Sequence, residues 1–266
     1  MFSMVGNKDH SIRKRMLSNI YSKSHLQSSP HMRLISETIL FERCLPIIQK
    51  LASSNTPINM HDLNQALTMD FVSAYLFGLD NATNFLQSET SRREIFHTYY
   101  SRKPFEFYHQ EVPNLLSWLK YLGFRLIPKW CDKADESMNA WCMQMCDRAD
   151  QSTESTKLDK EPVVFKRLKQ GITKQLTKDQ DPKSYAKDTK QQRFDIAAEM
   201  YDHVTAGFET SAVALTYIFW EISKRPELQK GLREELMTLE PNITYPRQST
   251  SRELPSPKSI DTLPLL

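Results

Sequence analysis

Residues 202–226 read DHVTAGFETSAVALTYIFWEISKRP, with a glycine, a carboxylate and a hydroxyl gathered in the segment AGFET at residues 206–210. Apart from that segment the run is almost wholly apolar, as expected of a helix buried in a protein core. Extended from Phe194 to Lys224, such a helix is about 46 Å long at 1.5 Å per residue, long enough to cross a domain. The stretch therefore predicts a mainly α-helical protein built around one long central helix.

A proline ends this helix and begins the next one. Arg225 precedes Pro226, and a residue in that position is disfavoured in helical geometry. Proline is well tolerated in the first turn of a helix, and the following ELQKGLREELMTLE has leucines at helical spacing. A second, amphipathic helix is therefore predicted directly after the long one.

A membrane span over residues 204–222 is the alternative to a buried core helix. About nineteen mostly apolar residues are enough to cross a bilayer. Glu209 lies near the middle of the stretch, where a carboxylate costs on the order of 3 kcal/mol, and Gly207 and Thr210 weaken the apolar character further. The buried helix is the preferred interpretation.

The composition supports a helical globular protein and gives no sign of nucleic-acid binding. The 266 residues are 39% hydrophobic and 10% aromatic, with only 6 Gly against 14 Pro, which suits helices joined at prolines. The 35 Lys and Arg and 32 Asp and Glu are mixed along the chain, so no basic patch appears. Walker, GxGxxG, HExxH and GxSxG motifs are absent from the sequence. We also find no secretory signal at the N-terminus.

The four cysteines do not form a recognisable metal or redox motif. They are Cys44, Cys131, Cys142 and Cys146. The closest pair, CMQMC, has three intervening residues where zinc and redox motifs usually have two. Buried free thiols, which behave as small hydrophobic groups, are the expected state, and no metal site is predicted from them.

Further helices are predicted on both sides of an aromatic segment. Residues 9–26 and 32–52 have apolar residues at helical spacing, the second with a bend at Pro46, and LNQALTMDFVSAYLFG ends at Gly78 as a helix terminator. Residues 103–130 are aromatic and uneven in period, which is typical of a mobile binding wall or a surface contact; a hydrophobic core loop is the alternative.

Ala206, Gly207 and Thr210 fall on one side of the predicted helix, because residues three and four apart are helical neighbours. Gly207 lets something flat approach the backbone, and the Thr210 hydroxyl can bond back to the carbonyl of Ala206. Glu209 could relay protons if water reaches it. From these residues alone, a small-residue packing notch with an exposed Glu209 is the preferred explanation.

Larger stretches of the chain resemble the cytochrome P450 family of heme-thiolate monooxygenases, especially its fungal members. AGFETS followed by ALTYIFWEISKRPELQKGLREEL resembles the long oxygen-binding helix and its successor. HSIRKRMLSNIYSKSHL resembles the helix whose basic residues bind the heme propionates, MDFVSAYLFG a later core helix, and PSPKSIDTLPLL the approach to the next family helix. The expected fold is thus a partial, mainly α-helical cytochrome P450 fold.

The resemblance implies a site. Ala206 and Gly207 are expected to face a heme b group, and Thr210 with Glu209 to activate oxygen and deliver protons. His10 and Lys14 match the propionate-binding positions, with Arg13 as an alternative to Lys14. A solvated basic turn is the competing explanation for these cations.

Two family hallmarks are not found in the sequence. The Glu-x-x-Arg helix is expected just past Leu266, and the loop that carries the iron-binding cysteine further on; Glu89–Arg92 fits Glu-x-x-Arg only by accident. We therefore expect residues 1–266 to be an incomplete single domain, the middle portion of the family fold, with 241–266 as an irregular proline- and serine-rich tail. Alone it is expected to be inactive, without a thiolate-type carbon monoxide spectrum.

For the complete family form, the resemblance implies oxidation of an apolar small molecule with O2. It also implies electrons from NADPH-cytochrome P450 reductase and a place at the endoplasmic reticulum membrane. This sequence shows neither anchor nor signal, so its own location is predicted as cytoplasmic or left open. The alternative function is a non-catalytic helical adaptor that binds a partner or membrane surface through Pro104–Trp130.

Overall fold

The computed structural model describes residues 7–152, 160–179, 185–241 and 254–265, and within these ranges every regular element is helical. The α-helices are α1 (Asn7–Leu17), α2 (Lys23–Ser28), α3 (Pro30–Ser36), α4 (Leu45–Ser54), α5 (Met60–Phe77), α6 (Glu89–Glu111), α7 (Pro113–Tyr121), α8 (Lys129–Ser152), α9 (Val163–Asp179), α10 (Tyr185–Ser223), α11 (Pro226–Leu236) and α12 (Pro257–Ile260). A π-helical segment (Glu37–Cys44) joins α3 to α4, and a 3₁₀ turn (Leu79–Asn81) follows α5. The mainly α-helical fold is confirmed.

The long central helix is longer than the sequence indicates. α10 spans 39 residues and begins at Tyr185, nine residues before the predicted start at Phe194. The added segment is polar but rich in lysine and glutamine, whose straight side chains favour helix even without an apolar face. Its end agrees with the prediction: α10 stops at Ser223, Arg225 has non-helical backbone angles, and Pro226 opens α11.

The predicted helices around Pro46 and Gly78 are formed, each with a defined local geometry. Pro46 lacks an N–H and its ring clashes with the preceding turn, and the π-helical segment directly before α4 widens the helix at that point. Gly78 ends α5 with φ of +86°, and a Cβ there would lie 2.7 Å from the backbone oxygen of Lys160. Only glycine satisfies both conditions.

Residues 9–26, by contrast, do not form one helix. α1 ends at Leu17, and α2 begins after a turn in which the Ser22 hydroxyl accepts a hydrogen bond from the backbone N–H of His25. Serine at such a position competes with the helix by capping a new one.

α5 and α10 form the centre of the core. Phe208 of α10 is buried and stacks on Phe96 of α6, with ring centroids 5.5 Å apart. The Thr68 hydroxyl of α5 donates to the backbone oxygen of Phe208 at 2.8 Å, and the Asn64 amide donates to the Thr216 hydroxyl at 3.0 Å. These polar links between buried helices fix how α10 lies along α5.

Asp70 of α5 organises the turn after that helix. Its fully buried carboxylate accepts hydrogen bonds from the Thr83 hydroxyl and the Phe85 N–H, both at 2.7 Å, and from the Leu86 N–H at 3.2 Å. Arg43 lies 3.9 Å away. Burial raises the pKa of Asp70, whereas these donors and Arg43 lower it.

The aromatic segment is mostly helical. Pro104 lies inside α6, α7 follows at Pro113, and many apolar side chains of the segment face solvent; Phe107, Leu115, Trp118, Tyr121, Leu122 and Phe124 are exposed. A hydrophobic core loop does not describe this segment, because its backbone is mostly helical and many of its apolar side chains are exposed. The binding wall and the surface contact stay predictions. Among the described residues, no helix combines the length and apolar character that crossing a membrane requires, and this includes 204–222.

The predicted tail is only partly described. Residues 254–265 contain α12, and Asp261 forms an ion pair of 2.7 Å with Lys23. The backbone N–H of Leu265 donates to the Glu235 carboxylate at 3.1–3.2 Å. Residues 242–253 lie outside the described part, as do residues 153–159 and 180–184. The single-domain boundaries therefore stay a prediction.

Candidate functional site

A cavity of about 780 Å³ lies between α1, α5 and α10 and the short elements after α1. α10 contributes His203, Ala206, Gly207 and Ser211, and α1 contributes His10 and Lys14; the remaining lining residues are Tyr21, Leu26, Met32, Phe71, Val72, Tyr75 and Leu76. Its volume is within the usual range for small-molecule and cofactor sites. The structure thus brings Ala206 and Gly207 together with His10 and Lys14, which the family resemblance assigns to one heme site.

Ala206, Gly207 and Thr210 form a small-residue patch on α10, and this patch is close-packed against α5 at Gly207. A Cβ added to Gly207 would lie 2.7 Å from Cγ2 of Val72 on α5, closer than real Cβ contacts. The glycine is therefore explained by the approach of α5, whereas the sequence suggested a flat ligand as the neighbour. Ala206 and Gly207 nevertheless line the cavity beside this contact.

Thr210 lies one turn further along α10, at the solvent-exposed edge of the patch. Its hydroxyl donates to the backbone oxygen of Ala206 at 2.6 Å, the bond that the sequence suggested. A hydroxyl that donates to the backbone keeps its lone pairs available, so Thr210 can still accept a hydrogen bond from another group. Thr210 is not among the residues that line the cavity.

Glu209 faces α6. Both carboxylate oxygens contact Nζ of Lys103, at 2.5 and 2.6 Å, and the Tyr99 hydroxyl donates to Oε2 at 3.1 Å. The Lys103 ammonium also lies 4.9 Å from the centre of the Tyr99 ring. Burial, and then the charge of Glu209, raise the pKa of Tyr99 well above its ordinary value. The carboxylate is therefore paired with a cation that sequence reasoning did not identify.

The basic residues of α1 separate into two groups. His10 and Lys14 line the cavity. Arg13 is mostly buried and contacts α10, 3.5 Å from Glu199 and 3.9 Å from Asp195. One of its nitrogens, Nη1, is buried without a hydrogen-bond partner in the described part of the chain. His10 and Lys14 are thus placed to meet a ligand directly, and Arg13 joins α1 to α10.

His203 and Tyr21 form a further part of the site that the sequence did not reveal. Their rings stack with centroids 5.4 Å apart, and the Tyr21 hydroxyl lies 3.2 Å from Nδ1 of His203. Burial lowers the pKa of His203, which favours the neutral imidazole, and Nε2 is buried with no partner in the described ranges. Tyr75 packs edge-on against Tyr21, and burial raises its pKa to about 12. No local motif marks these residues, because 182 positions separate Tyr21 from His203.

All four cysteines are buried free thiols, and none lines the cavity. Burial raises the pKa of Cys44 to about 11 and that of Cys131 above its ordinary value. Cys142 is 3.5 Å from the backbone oxygen of Ala197 in the core. Among the described residues, no group of three or more His, Cys, Asp or Glu side chains could hold a metal ion.

Comparisons with known proteins give one consistent result. The sequence model of the cytochrome P450 family matches residues 1–258. The chain is 28% identical over 239 residues to the cytochrome P450 monooxygenase avaI of Aspergillus versicolor, a match that covers 90% of this chain and 49% of that protein. It is 26% identical over 253 residues to cytochrome P450 6B1 of Papilio polyxenes, covering 92% and 47% respectively. The chain spans about half the length of these curated relatives. On the family match over nearly its whole length, the chain belongs to the cytochrome P450 family.

Proposed function

We propose that this chain provides the α10 wall of a heme-dependent monooxygenase site, one part of a single cytochrome P450 domain. The observation that carries the proposal is the cavity. Ala206 and Gly207 of α10 line it together with apolar side chains of α5 and with His10 and Lys14 of α1. A heme supplies the oxidising power to insert one atom of O2 into an apolar substrate, and the protein positions it and controls protons.

The residues present fit a heme. A porphyrin has a flat apolar body and two carboxylates, so it requires apolar walls and cations at one edge. Phe71, Val72 and Leu76 supply apolar wall, and His10 and Lys14 supply donors. The buried Nε2 of His203, which has no partner among the described residues, adds a polar atom that a ligand can satisfy.

In this proposal Thr210 and Glu209 handle protons near the α10 patch. The hydroxyl of Thr210 donates to the backbone oxygen of Ala206, so its lone pairs stay available to accept a proton or a hydrogen bond beside Ala206 and Gly207. Glu209 can take part only after its carboxylate exchanges Lys103 for water, because both of its oxygens are occupied in this arrangement. The ion pair is about one-third exposed, so solvent competes with it.

None of the four cysteines is placed to offer a thiolate to a heme in this cavity. All four cysteines are buried, and none of them lines the cavity. We therefore propose that heme bound to this chain, once reduced, does not give the carbon monoxide spectrum typical of thiolate ligation. A clear spectrum of that type would contradict the placement of the cysteines.

For the whole protein we propose an apolar small-molecule substrate, NADPH-cytochrome P450 reductase as electron donor and a location at the endoplasmic reticulum membrane. These properties are what membership of the cytochrome P450 family implies for the whole protein. The adaptor alternative receives no support from the comparisons, which all point to monooxygenases or their family.

Hemin titration of the purified chain tests the proposal, with a matched pair of variants on α10. Ala206 lines the cavity, whereas Ala214 lies two turns further on and is exposed. Ala206→Phe is expected to fill the cavity and weaken hemin binding at least about tenfold, about 1.4 kcal/mol. Ala214→Phe is expected to leave it unchanged. Equal affinity in the two variants would show that hemin binds elsewhere.

A further inference from the structure

A separate cavity of about 1300 Å³ lies between α4, the start of α5 and the first half of α6. It shares no lining residue with the cavity on α10. Its accessible apolar lining includes Ile47 and Leu51, which are half-buried, and Ile58, which is exposed. The volume exceeds the usual upper range for compact ligands, so it suits an elongated apolar chain.

Cations from two different helices border this cavity. Lys50 of α4 is exposed and makes no ion pair within the described ranges, and the Arg92 guanidinium of α6 contacts only a backbone oxygen, that of Phe85 at 3.4 Å. Arg93 differs, because Glu89 neutralises it at 2.5 Å. Among the residues that the structure describes, Lys50 and Arg92 thus carry positive charge without a carboxylate partner.

One carboxylate opposes them. Asp62, in the first turn of α5, lines the same cavity and forms no ion pair in the part of the chain that the structure describes. With Arg93 and Glu89 cancelling, Lys50 and Arg92 against Asp62 leave an excess of one positive charge. His61 and His97 also line the cavity and add to this charge when protonated.

We propose that this cavity binds an amphiphilic carboxylate, a long aliphatic chain that ends in one anionic group. The aliphatic chain covers Ile47, Leu51 and Ile58, and the carboxylate lies between Lys50 and Arg92. A compact anion such as phosphate leaves the apolar surface in water, and a neutral lipid leaves the two cations unpaired. The inference concerns a surface other than the heme site and does not depend on heme binding.

Calorimetric titration of the purified chain with sodium dodecanoate, kept below its micelle concentration, tests the site. One molecule is expected to bind, and Lys50→Gln/Arg92→Gln is expected to bind it at least about tenfold more weakly. Asp62→Asn is expected to bind it more tightly, since the opposing charge is removed. The matched control is Lys230→Gln/Arg233→Gln on α11, which changes the net charge equally on exposed residues away from the cavity.

A second ligand and a further variant distinguish binding in this cavity from nonspecific binding of the aliphatic chain elsewhere on the protein. Dodecanol, which has the same chain without the charge, is expected to bind at least tenfold more weakly than dodecanoate. Ala206→Phe is expected to leave dodecanoate binding unchanged, because the α10 cavity is not used. The proposal is overturned if the α11 control weakens binding as much as the Lys50/Arg92 variant, if dodecanol binds as tightly, or if Ala206→Phe abolishes binding. Circular dichroism of each variant confirms that the helices are retained.

Discussion

Gly207 offers a test of why the centre of α10 is built from small residues. Replacing Gly207 by Ala contributes about 1 kcal/mol of helix propensity to the folded state. In the wild-type background the new methyl group lies 2.7 Å from Cγ2 and 3.2 Å from Cγ1 of Val72, and overpacking of this kind costs about 1–3 kcal/mol. The net effect of Gly207→Ala is therefore expected to be a loss of up to about 2 kcal/mol in the free energy of unfolding.

The sign of the effect is expected to reverse when Val72 is shortened. In a Val72→Ala background both clashing methyl groups are gone, so Gly207→Ala retains the propensity gain and stabilises by about 1 kcal/mol. Urea unfolding followed by circular dichroism, applied to the four members of this double-mutant cycle, measures a coupling of about 1–3 kcal/mol. The same effect of Gly207→Ala in both backgrounds would refute the close approach of α5.

Three further predictions concern other polar groups. Asp70→Ala is expected to lower the free energy of unfolding by about 3–5 kcal/mol, because two buried N–H groups and one hydroxyl lose their acceptor. Asp70→Asn keeps one acceptor oxygen and is expected to lower it by less. Equal losses in the two variants would contradict this role of the carboxylate. Lys103→Met and Glu209→Gln are expected to show a coupling of about 1 kcal/mol at low salt that shrinks in high salt, and additive effects would contradict the ion pair. His203, whose pKa burial lowers, contributes stability that is complete above its unfolded pKa of about 6.5 and is lost as pH falls through the folded value. His203→Gln should therefore reduce the fall in stability between pH 7.5 and pH 5, and an unchanged pH profile would argue against a neutral, buried imidazole.

The features that the sequence predicted well are those set by neighbours along the chain. The stop at Arg225, the terminator at Gly78 and the bond from Thr210 to Ala206 each depend on residues within one turn of one another. Local steric and hydrogen-bonding rules are enough to specify such features. The predicted start of α10 is wrong. The prediction depends on apolar residues at helical spacing, and the first nine residues of the helix lack that pattern.

The features that the sequence did not predict depend on contacts between distant residues. Lys103 is 106 positions from Glu209, and nothing in either segment indicates that α6 brings a cation to α10. Gly207 was correctly identified as a point of close approach, but the side chain that approaches it, Val72, belongs to another helix. The sequence pattern indicates that a side chain at residue 207 would be too large, but only the packing of the helices shows which neighbour occupies the space.

The position of a bound heme relative to α10 is the most direct test of the account. Methyl-labelled chain, loaded with ferric heme and compared with chain loaded with diamagnetic zinc protoporphyrin, reports which methyl groups lie near the iron. Strong paramagnetic broadening is expected at Ala206, Val72 and Leu76, which line the cavity, and sharp signals are expected at Val164 and Leu168, which are buried residues of α9. Broadening confined to the exposed leucines of α7, with Ala206 unaffected, would contradict the assignment of this cavity to heme.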